Sequence, residues 1–292
     1  MEIIKLELEQ LDHLLKHEFE NCNIEISTDI KEFIISKSKK LRPSLIFLFA
    51  KALNIKITDE IYNLACSVEL IHNATLIHDD IIDNADIRRG NISLNKKLGN
   101  NLSVLSGDLI LSIAMKKLAE CNNIQLIKIF SKALYEMCKG EINQNFSLEK
   151  IPTLEQYIQK SEAKTAELFK AGLLSLCILK DIKEKNEIKE FANNFGIAFQ
   201  IKDDLTNILN TDKSKPAKSD IFNGIYTAPV IFLNSTFNTK EELYNKVSND
   251  KIAIEKTKLL IHQYSEKAIK AIKFLPNSNY KDEIIKLTIN SI

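Results

Sequence analysis

Asp79 and Asp83 stand four residues apart at the end of the run Leu70-Ile71-His72-Asn73-Ala74-Thr75-Leu76-Ile77-His78-Asp79-Asp80-Ile81-Ile82-Asp83. One helical turn brings both carboxylates onto one face, where they can share a divalent cation. Every ligand on offer is a hard oxygen and no thiolate is near. The expected ion is therefore Mg2+, which keeps waters and bridges one or two carboxylates to phosphate oxygens. Arg88-Arg89-Gly90 follows directly and offers two guanidiniums to that phosphate.

An acidic pair at helical spacing more often lies on a solvated face. Here the flanks are Leu70, Ile71, Leu76, Ile77, Ile81 and Ile82, and carboxylates among so many apolar residues need a compensating charge. A near-copy lies far along the chain at Phe199-Gln200-Ile201-Lys202-Asp203-Asp204-Leu205-Thr206-Asn207. Two such clusters are expected to face each other across a cavity and hold several metals around one polyanion.

With both motifs in view, the chain resembles the trans-isoprenyl diphosphate synthases, the polyprenyl synthetase family, and within it the long-chain, octaprenyl-type members. Further landmarks stand in the family's order: Lys39-Lys40-Leu41-Arg42-Pro43, Gly107-Asp108, Gly140-Glu141 with Gln144, Lys164-Thr165-Ala166, and Lys215-Pro216-Ala217-Lys218-Ser219-Asp220. The resemblance implies an all-α, single-domain helical bundle around a central cavity, of the isoprenoid synthase type, spanning residues 1–292.

It also implies a reaction. An allylic diphosphate ionises to a carbocation, the double bond of isopentenyl diphosphate attacks it, and a proton is lost. Charge builds on the departing diphosphate, so cations aimed there lower the barrier. By this resemblance Asp79, Asp83 and Asp203 coordinate Mg2+, and Asp80 and Asp204 support the cluster. Arg88, Lys164 and Lys215 contact the allylic diphosphate; Lys39, Arg42, His72 and Arg89 take isopentenyl diphosphate. Lys164, Thr165 and Gln200 line the place where the cation forms. No protein base is evident, which leaves the released diphosphate as the candidate proton acceptor. Outside the family context, Lys39 and Lys40 read as a solvated basic turn and His72 as a satisfied core histidine.

The elements that must position these groups read as helices. Apolar residues recur at i, i+3 and i+4, as in Leu154, Tyr157, Ile158 and in Ile188, Phe191, Ala192, Phe195, while alternating strand patterns are scarce. Helices are predicted over 3–20, 27–37, 43–53, 58–83, 101–120, 123–147, 154–179, 184–209, 218–235, 239–246, 250–273 and 279–290. Both aspartate motifs then close helices, and the loops 84–99 and 210–219 behind them are expected to act as lids.

Composition is consistent with one large helical body: 292 residues hold only 7 Gly and 5 Pro, with no Gly/Ser/Pro-rich linker. Charged residues are 27% and the formal net charge is +1, so nothing points to nucleic acid or an anionic membrane. Five cysteines lack CxxC spacing and favour a reducing cytoplasm. The apolar runs fall short of the ~18 residues a membrane span requires. The family resemblance adds the expectation of a homodimer.

Four positions, at three places in the chain, depart from the family pattern. Lys37-Ser38 stands for Gly-Gly, Asn207 for the last aspartate of the second motif, and Ile225 for a phosphate-binding lysine before Thr227. A non-catalytic subunit of a heteromeric synthase would explain the last two, but would be expected to have lost the first motif, which is whole. A terpene cyclase would not need Lys39, Arg42 and Arg89. For product length, small Ala74 and Thr75 occupy places that bulky aromatics fill where the hydrocarbon pocket is plugged. Each five-carbon unit gains about 4 kcal/mol when buried, so elongation is expected to run until a floor blocks it; the expected product is about C30 to C50, as in a quinone tail, with geranylgeranyl diphosphate as the alternative. Candidate wall residues are Val68, Ile71, Ser112 and 133–138.

Overall fold

The computed structural model describes residues 1–20, 22, 24–36, 38–210 and 219–290. Among them, fifteen α-helices follow in chain order: α1 Lys5–Glu20, α2 Ser27–Ile35, α3 Leu41–Ala52, α4 Asp59–Ile82, α5 Leu94–Leu98, α6 Asn100–Glu120, α7 Ile124–Asn145, α8 Leu154–Ser161, α9 Glu167–Leu179, α10 Lys185–Leu209, α11 Ser219–Phe222, α12 Ala228–Phe232, α13 Lys240–Asn249, α14 Lys251–Ala271 and α15 Asn279–Asn290. The sole strands among the described residues are β1 Ile87–Arg88 and β2 Asn91–Ile92. The fold is all-α. The chain divides into two compact units, one comprising 1–129, 171–183 and 275–284, the other 130–170, 184–274 and 285–292.

In the first unit α4 packs along α6. Leu64, Ala65, Val68, Leu70, Ile71, Ala74 and Ile77 of α4 are all buried, so this helix is apolar nearly all round and forms the middle of its unit. In the second unit α10 packs along α14. Its Ile197, Ile201 and Leu205 repeat every four residues and meet Tyr157, Ala166, Leu260 and Ile261 in one cluster. Phe191, Phe195 and Phe199 continue the i, i+4 spacing one turn apart, with stacked rings at 5.6 and 6.4 Å.

Three segments differ from the sequence expectation. The region 84–99 is not an open loop: it carries the β1–β2 hairpin and α5, and Ala85 O accepts from Ser93 Oγ at 2.6 Å and from Asn95 Nδ2 at 3.1 Å. The single helix expected over 218–235 is two short ones, because Gly224 turns the chain at φ +74° and Thr227 is extended before α12 starts at Ala228, with Pro229 in its first turn. The helix expected over 154–179 contains a turn of π-helix at Glu162–Ala166. No helix among the described residues is long and apolar enough to cross a membrane.

Candidate active site

The first aspartate motif ends α4. Asp83 is the C-terminal cap, its N–H donating to Asp79 O at 2.8 Å, and Asn84 leaves the helix in the left-handed region. Asp79 is half-buried and Asp83 exposed, one turn apart, whereas Asp80 points the other way and is buried at 1% exposure. Arg88 meets it there: Nε donates to Asp80 Oδ1 at 2.7 Å, and Nη2 pairs with the same oxygen. Burial pulls the Arg88 guanidinium down, but the hydrogen bond to Asp80 and the charges of Asp80, Asp79 and Asp83 outweigh it and raise it above its ordinary value.

The hairpin explains how two successive arginines serve different partners. Ile87 pairs with Ile92 and Arg88 with Asn91, so Arg89-Gly90 forms the two-residue loop. Both loop residues have positive φ, 53° and 80°, as a type I′ turn requires. Arg89 is thus held in the left-handed region, a conformation that costs a non-glycine residue on the order of 1 kcal/mol. Its Nη1 donates to Ser36 Oγ at 3.1 Å and to Asn73 Oδ1 at 3.2 Å, and its guanidinium stands 5.8 Å from the Phe33 ring centre.

A carboxylate that the motifs do not contain lies beside this arginine. Glu69, one turn before His72 on α4, is buried and accepts from Ser38 Oγ at 3.2 Å. Burial raises its pKa, and the charges of Arg89 and Arg42 together with Ser38 hold it down. Burial in turn lowers Arg42 to about 10 and lowers Arg89, with Glu69 opposing both shifts. One buried anion therefore serves two half-buried cations. The available signal was a charged residue inside the apolar run Val68-Glu69-Leu70. His72 is half-buried; Lys39 is exposed and has no ion pair among the described residues. Lys40 has a left-handed backbone and pairs with Asp12.

In the second unit, Asp203 and Asp204 lie near the end of α10, so this motif also closes a helix. Asp204 is buried and anchors a chain of hydrogen bonds. Tyr157 Oη donates to its Oδ2 at 2.6 Å, Gln200 Nε2 donates to its Oδ1 at 2.8 Å, and Thr165 Oγ1 donates to Gln200 Oε1. Burial pushes Asp204 up to about 7; Asp220 adds to the rise, while Tyr157 and Lys160 oppose it. Lys164 Nζ donates to Glu141 Oε2 at 3.0 Å. Tyr157 and Lys160 are absent from the sequence motifs, and nothing in their helical spacing marks them as partners of Asp204. Lys160 is half-buried, and desolvation lowers its ammonium, with Asp204 raising it and Lys164 lowering it. Ile225 is half-buried, and the Thr227 hydroxyl near it is buried without a hydrogen-bond partner among the described residues. Lys37, Lys215 and Lys218 lie outside the described residues.

The donor sets can be tested against a metal. Among the described residues no three His, Cys, Asp or Glu side chains gather into a group able to hold one. Asp79 with Asp83, and Asp203, offer only hard oxygens. Such a set suits a cation that completes its shell with water and phosphate oxygens, and it does not suit a closed structural site such as tetrahedral zinc.

Comparison with known proteins agrees with this chemistry. Residues 25–264 match the family model described as Polyprenyl synthetase. A protein named prenyl transferase from Cyanidium caldarium is 33% identical, covering 98% of this chain and 95% of its own length. A decaprenyl-diphosphate synthase from Dictyostelium discoideum is 34% identical over 86% of this chain and 59% of its own. The crystal structure of a polyprenyl synthase from Caulobacter crescentus CB15, complexed with calcium and isoprenyl diphosphate, superposes with a TM-score of 0.91 at 23% identity, covering 99% of this chain and 95% of that one.

Proposed function

From the premise that the chain belongs to the polyprenyl synthetase family, we propose that this prenyltransferase is an all-trans polyprenyl diphosphate synthase making long products of about C30 to C50. Isopentenyl diphosphate adds head to tail onto an allylic diphosphate. The observation that carries this reading is the pairing of a carboxylate turn at Asp79 and Asp83 with the half-buried arginines Arg42 and Arg89 around Glu69, which supports a division between a metal-bound and a metal-free diphosphate. The likeness to a decaprenyl-diphosphate synthase and the small Ala74 and Thr75 support the long product.

Asp79, Asp83 and Asp203 would hold Mg2+, which supplies positive charge to the allylic diphosphate as its C–O bond breaks. The chain's own groups do the rest. Asp80 fixes Arg88, and Lys164 and Lys215 bring further cations to the leaving group. Asp204 orients Gln200, and Gln200 orients Thr165, so two side-chain dipoles face the cation without offering a nucleophile. Arg42 and Arg89, with His72 and Lys39, would bind the second diphosphate through charge-assisted hydrogen bonds. Val68, Ile71, Ala74 and Ala133 are buried wall candidates, whereas Ser112 and Cys138 are exposed.

We read the whole chain as one catalytic domain that works as a homodimer. Exposed Leu102 and Leu105 on α6 supply apolar surface for a second copy. We place the protein in a reducing compartment such as the cytoplasm, a reading supported by five cysteines without CxxC spacing.

The test is product analysis. Purified protein with Mg2+, isopentenyl diphosphate and farnesyl or geranylgeranyl diphosphate should give a ladder ending between C30 and C50. Termination at C20 would make it a geranylgeranyl-type enzyme, and no condensation with either starter would refute the synthase reading.

A further inference from the structure

The π-helical turn Glu162–Ala166 carries Lys164 and Thr165, and a buried cation ties its two ends together. Lys170 is 6% exposed, and its Nζ donates to Glu162 Oε1 at 2.7 Å and to Glu167 Oε1 at 2.6 Å. The bond to Glu167 is ordinary i, i+3 spacing. The bond to Glu162 is not. Eight residues of uninterrupted α-helix rotate through about 800°, which leaves the first roughly 80° off the face of the last. A turn closed by i→i+5 bonds absorbs one extra residue, and with that residue discounted Glu162 comes within about 20° of Lys170. The ion pair thus depends on the π turn.

The same turn is gripped by its neighbours. A Cβ built on Gly196 of α10 would lie 2.5 Å from Ala166 Cα, so only glycine lets the α10 backbone approach this closely. Gly140 of α7 stands against Ala163 on another side. The turn's own polar groups reach Glu141 from Lys164 and Gln200 from Thr165.

We propose that Lys170 is a positioning residue, a strap across the π turn that keeps Lys164 and Thr165 in register for the allylic diphosphate; this rests on the role given to Lys164 above. Loss of the strap lets the turn relax toward α-helix. That relaxation rotates the turn about 100° against α9 for the one residue released, which carries Lys164 away from Glu141 and Thr165 away from Gln200.

The experiment compares wild type with Lys170→Met, which keeps a long apolar stem and removes the charge. With farnesyl diphosphate as the allylic probe, KM should rise about tenfold and kcat fall about tenfold while KM for isopentenyl diphosphate stays within about twofold. Amide hydrogen exchange across 162–170 should quicken by about tenfold or more. Lys170→Arg should restore both, and Glu162→Gln should reproduce the defect more strongly than Glu167→Gln. Unchanged exchange across 162–170 overturns the strap, as does an equal loss toward both substrates in step with loss of folded protein. If wild type itself makes no prenyl product, the functional reading fails, and the exchange result still judges the strap.

Discussion

Ser38 donates a 3.2 Å hydrogen bond to Glu69, the buried carboxylate lying in the field of Arg42 and Arg89. Replacing Glu69 with alanine leaves two half-buried like charges without their anion. Thermal unfolding should show a loss on the order of 2 kcal/mol. Inorganic pyrophosphate should restore part of it by supplying the missing negative charge. A variant as stable as wild type, or one that pyrophosphate does not rescue, would show that Glu69 does not balance these arginines.

Adjacent aspartates of the first motif should separate cleanly. Asp79→Asn and Asp83→Asn change exposed or half-buried oxygens, so kcat should drop about 10²- to 10³-fold with little change in Tm. Asp80→Asn breaks a buried pair with Arg88 and should lower Tm as well as activity. Parallel unfolding curves and initial rates on the three variants check this.

Metal and diphosphate should bind together. Because Mg2+ keeps several waters and is held through one or two carboxylates plus phosphate oxygens, Mg2+ alone should bind weakly, and inorganic pyrophosphate should tighten it by about tenfold or more. Titration calorimetry with and without pyrophosphate measures the difference, and equal affinities would count against shared coordination.

Asp204 sets a pH dependence in metal-free protein. Its folded pKa is raised from 3.8 to about 7, so the folded state holds this proton more tightly than the unfolded chain does. The associated stability is fully present below pH 3.8 and is lost as the pH rises through about 7. In EDTA, Tm should therefore fall between these limits, and Asp204→Asn should flatten that fall.

Product length should respond to Ala74, a buried position on α4. A phenylalanine there inserts a ring where the alkyl chain would extend, and the longest product should shorten by several five-carbon units. Chromatography of the dephosphorylated products reads the outcome directly.

Much of this molecule is written locally. The i, i+4 apolar spacing that marks α4 and α10 also sets the aspartates at their ends, because helical phase depends only on residues a turn apart. Motif order then carries Lys164, Thr165, Gln200 and Arg42 to the reading of their roles. Other features depend on distant partners. Lys170 becomes a strap only when an extra residue in the preceding turn swings Glu162 onto its face, and the expected helix over 218–235 breaks at Gly224. Asp80 and Asp204 look like their neighbours in sequence, yet burial turns each away from the solvent side toward Arg88 and Tyr157. Most of the helices and the two carboxylate motifs follow from spacing and residue type alone, and the class of chemistry follows from the family that these motifs resemble. Tertiary structure alone decided which charges are buried and who answers them, because the cost of removing a charge from water is known only when the surrounding chain has closed over it.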